Sequence, residues 1–333
     1  MRALSRQADL RLEFSQNTPP IERISVSNHL VVGAGLIGRP VAERLAARGD
    51  TVTSATRSGS PAVGATALVL DASDSDAFSR AASGMSTIFL CTNPKYTAWE
   101  TQWPPIFDAA VAAASASGAR LVVMGNLYPY GSPNGPMTEH SLPLTTEKKG
   151  LVRQAGWTNV RAAHERGDIR AVEVRASDYF GPGSGGTAHL GEAFFTGVLR
   201  SKTAHVVGIP SMNHSWSYLP DIATTLIAAA DYQGEWGRIW HVPSASLDRV
   251  EIARQLNARY GTQGKVSGYS QWMLRSLGSV SPMMKEVWAS SYQFVVPFII
   301  DSTETERELG VSATDWDEAL FTTASSYRRN NSS

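Results

Sequence analysis

The chain has 333 residues, enough for one large domain or two fused ones with a sizeable core. Thirty basic and thirty acidic side chains cancel, which removes the global field that nucleic acid or an anionic membrane would need. A single cysteine, Cys91, excludes an internal disulfide and fits a reducing compartment, and no apolar run reaches the roughly 18–20 residues of a membrane span.

Residues 1–28 carry four arginines, a Pro-Pro pair and no sustained periodicity. Asp9, Glu13 and Glu22 argue against an organelle transit peptide, and no secretory apolar segment is present. The segment reads as a flexible N-terminal extension, and the expected location is the cytoplasm.

Residues 29–57 read HLVVGAGLIGRPVAERLAARGDTVTSATR. A short apolar strand, Leu30–Val32, enters a turn with Gly33, Gly35 and Gly38, and Leu36 and Ile37 lie between the last two. A helix follows with Val41, Leu45 and Ala46 at helical spacing, and Gly49 ends it. Strand, tight turn, helix and strand in this order predict a dinucleotide cradle, because the glycines let backbone approach a pyrophosphate and the helix N-terminus presents free N–H groups. After the second strand, where a carboxylate would grip the ribose 2′-hydroxyl of NAD, stand Thr56 and Arg57. A guanidinium suits a 2′-phosphate, and Arg39 is placed to reach the same group, so NADP(H) is favoured over NAD(H).

The alternation continues. TALVLDASD is a strand running to Asp71, a candidate partner for the adenine amino group, and STIFLCTNP is a strand emerging at Thr92 and Asn93. Residues 104–117 are helical from Pro104, and ARLVVMGNLYPYG runs as a strand into a turn. Helix-separated strands predict a parallel, doubly wound α/β sheet with ligands beyond the C-terminal strand ends, at Asn93 and Asn126. A helix over about 145–166 precedes the strand and loop DIRAVEVRASDYFGPG (168–183). SYLPDIATTLIAAA predicts a turn and helix with Asp221 near its start, GRIWHVPSA a short strand, and Ser302 and Thr314 cap the closing helices.

The glycine turn, VVMGNLYPYG, RASDYFGPG, SYLPDIA and DSTETERELG, in this order, resemble the extended short-chain dehydrogenase/reductases of the NAD-dependent epimerase/dehydratase type over about 29–327. The resemblance implies a Rossmann domain, 29–175, and a smaller C-terminal α/β substrate lobe, mainly 176–333, with some elements returning to the first. It is nearest to an atypical branch with a lysine-glycine pair where the family has its tyrosine. Carried over residue by residue, the family's catalytic tyrosine falls on Lys149, its lysine on Arg153 and its serine or threonine on Asn126.

The i, i+4 spacing puts Lys149 and Arg153 on one helix face. Repulsion between two cations one turn apart, in a partly dry site, favours the neutral amine of Lys149 that a general base needs, while Arg153 is placed to hold ribose or phosphate. The bland alternative is a solvated face shared with Glu147 and Lys148. Tyr128 is the other candidate proton donor; related plant enone reductases carry a functional lysine at the corresponding spot. Its alternative is an aromatic plug. Asn126 can polarise a carbonyl oxygen. Asp178 and Tyr179 belong to the loop that lines the substrate pocket in the family, and His214 precedes a strand reaching the pocket floor; a turn cap and a structural histidine are their alternatives. No His/Cys/Asp cluster has metal-ligand spacing, so no metal is expected. Trp272, Met273, Met283, Met284, Trp288, Tyr292 and Phe294 suit either core or an apolar substrate, and Arg200, Lys202 and Lys285 are too scattered for a sugar-nucleotide diphosphate.

The expected function is an NADP(H)-dependent oxidoreductase acting on a carbonyl or conjugated carbonyl compound. An epimerase/dehydratase with retained cofactor and a non-catalytic NADP(H) sensor are the alternatives. A homodimer through the helices at 104–117 and 145–166 is implied by the resemblance.

Overall fold

The computed structural model describes residues 26–185, 188–269 and 289–329. Trp272, Met273, Met283, Met284, Lys285 and Trp288 lie outside these residues, as does most of the N-terminal extension.

Period-two alternation along the strands builds two cores on opposite faces of one sheet. In β1 (Asn28–Val32), Leu30 and Val32 join the core under α2 (Ser75–Ala82), α3 (Trp99–Ser117) and α4 (Lys148–Glu165), with Phe78, Trp103, Phe107 and Val160. Val31 faces the other way, onto Val41 and Leu45 of α1 (Gly38–Ala47) and Ile222 and Leu226 of α6 (Leu219–Asp231). β4 (Thr87–Leu90) repeats the division, with Ile88 and Leu90 on the first face and Phe89 on the second.

Among the described residues the main sheet has seven strands. They are β1, β2 (Thr51–Thr56), β3 (Thr66–Val69), β4, β5 (Arg120–Asn126), β6 (Ala171–Ala176) and β10 (Ile239–His241). Every neighbouring pair is parallel, in the order β10-β6-β5-β4-β1-β2-β3. This is the doubly wound Rossmann-like α/β arrangement, and strand order reverses between β1 and β4, where a crevice opens beyond the strand ends. β7 (Asp178–Phe180) pairs with β9 (His214–Tyr218), which also pairs with β11 (Ala245–Leu247). β8 (Thr203–Val206) and β12 (Lys265–Gly268) form a further parallel pair. α5 (Glu192–Leu199), α7 (Arg249–Tyr260) and the last helix, α9 (Trp316–Arg329), close around Phe195, Trp216, Leu256 and Leu320.

Three local expectations are corrected. α3 starts at Trp99, five residues before the Pro104 start. Trp99 is buried, and its indole N–H donates to the Pro94 carbonyl at 3.0 Å, which anchors the first turn and leaves both prolines inside the helix, in its second turn. The prolines remove donors only from the carbonyls of exposed Glu100 and Thr101. The cap of α9 is Asp315, whose carboxylate accepts the Glu318 N–H at 3.1 Å, not Thr314. Thr314 instead donates its N–H (2.9 Å) and hydroxyl (2.6 Å) to Asp221, tying the chain's last segment to α6. Ser302 precedes α8 (Thr303–Leu309), but its hydroxyl bonds the Glu306 carboxylate at 2.7 Å and no backbone N–H. No helix of the described residues is long and apolar enough to cross a membrane.

Candidate active site

The crevice at the switch point holds a groove of about 660 Å³, within the size range of small-ligand sites. Gly33 forms its floor. Its φ of +97° is open to glycine, and a Cβ there would sit 2.6 Å from the Thr92 backbone. Gly35 has open space around it, and Leu36 and Ile37 line the rim where α1 begins. Gly38 lies under the turn, against the Gly33 carbonyl. At the far end the exposed guanidinium-bearing residues Arg39 and Arg57 line the groove with Thr56, Ser58 and Ser60. Thr56 Oγ1 accepts the Ser60 N–H at 2.9 Å, which folds the loop after β2 into a hydroxyl-rich hook. Asp71 also lines the groove. Its Oδ1 accepts the Ser73 N–H (3.0 Å) and hydroxyl (2.7 Å), and these bonds hold its carboxyl below the ordinary range. The floor, the open glycine and the helix start fit a dinucleotide.

Thr92, Asn93, Cys91, Ile37 and Tyr179 line both this groove and an inner pocket between the ends of β4, β5 and β6. The wall of that pocket is aromatic. Tyr128 follows β5, and its hydroxyl lies 3.3 Å from that of Tyr96, in the short turn after β4. Tyr96 keeps 39% of its surface exposed. Its hydroxyl is turned inward, and desolvation pushes it up to about 12. Burial pushes Tyr128 well above its ordinary value, aided by Tyr96 and Asp178. Both therefore remain protonated at neutral pH. Asn126 Oδ1 accepts the Tyr128 N–H at 3.2 Å, so the amide nitrogen is the end available to donate into the pocket.

α4 comes up against this wall. Gly150 is the reason it can: a Cβ there would meet the Tyr128 carbonyl at 2.6 Å and the Thr145 hydroxyl closer still. Lys149 is buried, its ammonium over the rings of Tyr96 (5.2 Å) and Tyr128 (5.9 Å). Arg153, also buried, stacks on Trp103 (4.2 Å), donates to the Met124 carbonyl at 2.5 Å and lies 3.6 Å from Glu173 of β6. Burial pushes its guanidinium down to about 10 against the attraction of Glu173. The face carrying the two cations is thus packed inward, whereas Lys148 is solvated and paired with Glu100.

Asp178, on β7, lines the inner pocket beside Tyr179. Its Oδ2 lies 2.8 Å from His214 Nε2, and burial pushes the Tyr179 hydroxyl up. His214 sits in β9 itself, not before it. The structure therefore brings Tyr128, Asn126, Arg153, Asp178 and Tyr179 to one pocket, with Lys149 against its wall. Tyr96, Trp99 and Gln293 also line it and were not among the sequence candidates. The signal for Tyr96 and Trp99 was their place directly after the β4 exit. Among the described residues no group of three or more His, Cys, Asp or Glu could hold a metal ion.

Fold and groove together define a dinucleotide-binding protein of the Rossmann class with a second pocket beyond the strand ends. Residues 29–242 match the NAD dependent epimerase/dehydratase family, and the chain belongs to that family of enzymes. No curated relative matches its sequence. Among solved structures, the UDP-glucose 4-epimerase of Thermotoga maritima with UDP-glucose has a TM-score of 0.74 at 16% identity, covering 91% of this chain and 99% of that one. The UDP-glucuronic acid 4-epimerase of Bacillus cereus in complex with NAD has 0.74 at 13%, with 91% and 99% covered. The dTDP-glucose 4,6-dehydratase of Streptomyces venezuelae with NAD has 0.70 at 18%, with 92% and 98% covered. At these identities the likeness is one of fold.

Proposed function

We propose that the enzyme is an NADP(H)-dependent oxidoreductase acting on a carbonyl or conjugated carbonyl compound. When bound, the nicotinamide supplies or accepts hydride. The observation that carries the reading is the hydroxyl pair of Tyr96 and Tyr128, with the Asn126 amide, all lining the inner pocket. One hydroxyl of the pair donates to the other, so the second hydroxyl and the Asn126 amide are the two neutral donors offered to an oxygen that gains negative charge. Lys149, over both rings, adds positive potential to that space. Arg153 acts as a positioning residue: by holding the Met124 carbonyl it fixes the end of β5 that presents Asn126. Arg57 and Arg39, with the hydroxyls of the loop after β2, support a 2′-phosphate reader and hence NADP(H).

The first experiment is a side-by-side titration with NADPH and NADH by cofactor fluorescence, followed by a panel of aldehydes, ketones and enones. Lys149→Met and Tyr128→Phe are expected to bind cofactor as the parent does and to differ sharply from each other in turnover. If neither substitution lowers turnover, the assignment is wrong.

A second reading is an epimerase/dehydratase whose cofactor stays bound. Its support is the likeness to sugar-nucleotide enzymes carrying NAD. NAD retained through purification, with no preference for NADPH, favours it over the first.

A further inference from the structure

We propose that Asp178 and His214 form a proton-loaded pair on the substrate side of the inner pocket, with Asp178 the acid–base residue that meets the substrate oxygen and His214 the residue that positions and reloads it. The proposal rests on the redox reading of that pocket and names a donor that neither the family nor the α4 residues provide.

The argument is a count of hydrogens. His214 Nδ1 lies 3.2 Å from the main-chain carbonyl of Gln293, an acceptor that cannot donate. Its Nε2 lies 2.8 Å from Asp178 Oδ2. A neutral imidazole has one N–H and can serve only one of these oxygens. Satisfying both requires a second proton, held on Nε2 or on the carboxyl. The pair therefore stores one more proton than a neutral histidine beside a carboxylate. The ring has no freedom to avoid this. It is stacked among Trp216 (4.5 Å), Phe294 (4.7 Å) and Phe298 (5.4 Å), which fixes its plane.

The two partners differ in access. The His214 side chain is 1% exposed, whereas that of Asp178 is 18% exposed and lines the inner pocket. A proton leaves toward substrate only through the carboxyl. The groups around the pair are His189, Arg249 and the hydroxyl of Tyr292, with those of Tyr96, Tyr128 and Tyr179 lining the pocket and Lys149 acting on His189. Arg249 is committed to the carbonyls of Val207 (2.8 Å) and Ile209 (3.3 Å). Burial holds His189 below the ordinary imidazole range, so it competes poorly for the proton. The His214 contact holds the Asp178 carboxyl low against the opposing effect of burial.

In the reducing direction the step balances simply. As the substrate oxygen gains negative charge, the Nε2–H bond breaks and an Oδ2–H bond forms. That O–H bond then breaks in turn as the proton joins the substrate oxygen. His214 is left neutral with Nδ1–H still on the Gln293 carbonyl, and one proton from solvent returns to Nε2 by way of the Asp178 carboxyl. Oxidation of an alcohol runs the same transfers backward.

The test uses the full chain with ¹⁵N-labelled histidine. Ring-nitrogen shifts are assigned to His214 by their loss in His214→Gln. Both His214 nitrogens are expected to be protonated at pH 7, and Asp178→Asn is expected to weaken that proton's hold at least tenfold, with thermal unfolding confirming that each variant is folded. With the carbonyl panel, Asp178→Asn is expected to lower kcat/KM at least 100-fold, the scale of general acid catalysis, and to leave NADPH affinity within threefold. His214→Gln is expected to flatten the pH profile that the parent shows. A singly protonated His214 at pH 7 overturns the stored proton. Turnover by Asp178→Asn equal to the parent's overturns the catalytic role. A panel with no turnover counts against the reductase reading and the catalytic half together, whereas the ring nitrogens decide the stored proton by themselves.

Discussion

Replacing Glu173 by glutamine probes the charge chain beneath the site. Glu173 is fully buried, with Arg175 Nε 2.7 Å from one oxygen and Arg153 Nη2 3.6 Å from the other. One carboxylate thus compensates two buried guanidiniums. For Arg153, the move from the ordinary 12.5 down to about 10 corresponds to about 3 kcal/mol against the charged folded form, present at every pH below that value. Glu173→Gln leaves both cations without a counter-charge, and breaking a buried pair from one side costs about 3–5 kcal/mol. At about 2 °C per kcal/mol for a chain this long, Tm should fall by ~6–10 °C. Arg153→Met should behave differently. It relieves about 3 kcal/mol of desolvation, removes a donor from the Met124 carbonyl at about 1–3 kcal/mol, and leaves Glu173 paired with Arg175. The net change should lie within about 2 kcal/mol of zero, and Arg153→Met should recover part of the loss in a Glu173→Gln background. Thermal unfolding and urea titration of the two single variants and the double variant measure this. Equal destabilisation by both single changes, with no recovery in the double, refutes the reasoning.

Other consequences are as direct. Arg57→Ala should weaken NADPH about 10-fold or more while leaving NADH nearly unchanged, the scale of one charge-assisted hydrogen bond, as read by cofactor fluorescence. Gly150→Ala should cost about 1–3 kcal/mol, since the new methyl meets the Tyr128 carbonyl and Thr145, and should lower kcat more than it weakens cofactor binding. Burial holds His241 below the ordinary imidazole range, with Nε2 2.8 Å from the Tyr130 hydroxyl and Nδ1 2.9 Å from the Asp301 carbonyl. The unfolded chain therefore binds that proton first, so stability falls as pH drops below about 6.5. His241→Gln should flatten that acid limb in a series of unfolding curves. Tyr96→Phe should lower turnover about 10-fold through loss of the Tyr128 hydroxyl's partner, with the fold intact by circular dichroism.

What the sequence made legible was local. The glycine turn, the alternation of β1, β4 and β5, and the strand-end positions of Asn93 and Asn126 follow from periods of two and 3.6 residues and from where parallel strands stop, whereas Asp178 was legible only through the family resemblance. The start of α3 was misread because Pro104 satisfies the rule for a first helical position, while the contact that sets the start, Trp99 on Pro94, has no periodic signature. Thr314 and Asp315 are both good caps by type, and only the long-range pull of Asp221 on Thr314 separates them. Glu173 was invisible for a similar reason. In AVEVRA it looks like the polar residue of a half-exposed strand, and its cationic partner Arg153 stands twenty positions earlier on a helix. Ion pairs across elements leave no pattern in either element alone.

The i, i+4 pair on α4 shows how spacing fixes geometry without fixing chemistry. Lys149 and Arg153 do share one inward face, as their separation requires, yet each reaches a different target. The shorter reach of Lys149 ends over the aromatic wall made by Tyr96 and Tyr128. Arg153, one turn deeper, passes Trp103 and ends at the Met124 carbonyl and Glu173. The helix thereby becomes a brace for the ends of β5 and β6, and the segments that leave β4, β5 and β6 add the proton-bearing groups of Tyr96, Tyr128 and Asp178 to the same pocket. Three adjacent parallel strands deliver those segments to one place whatever residues they carry, so proton chemistry can pass from a helix to the loops without any change in the sheet.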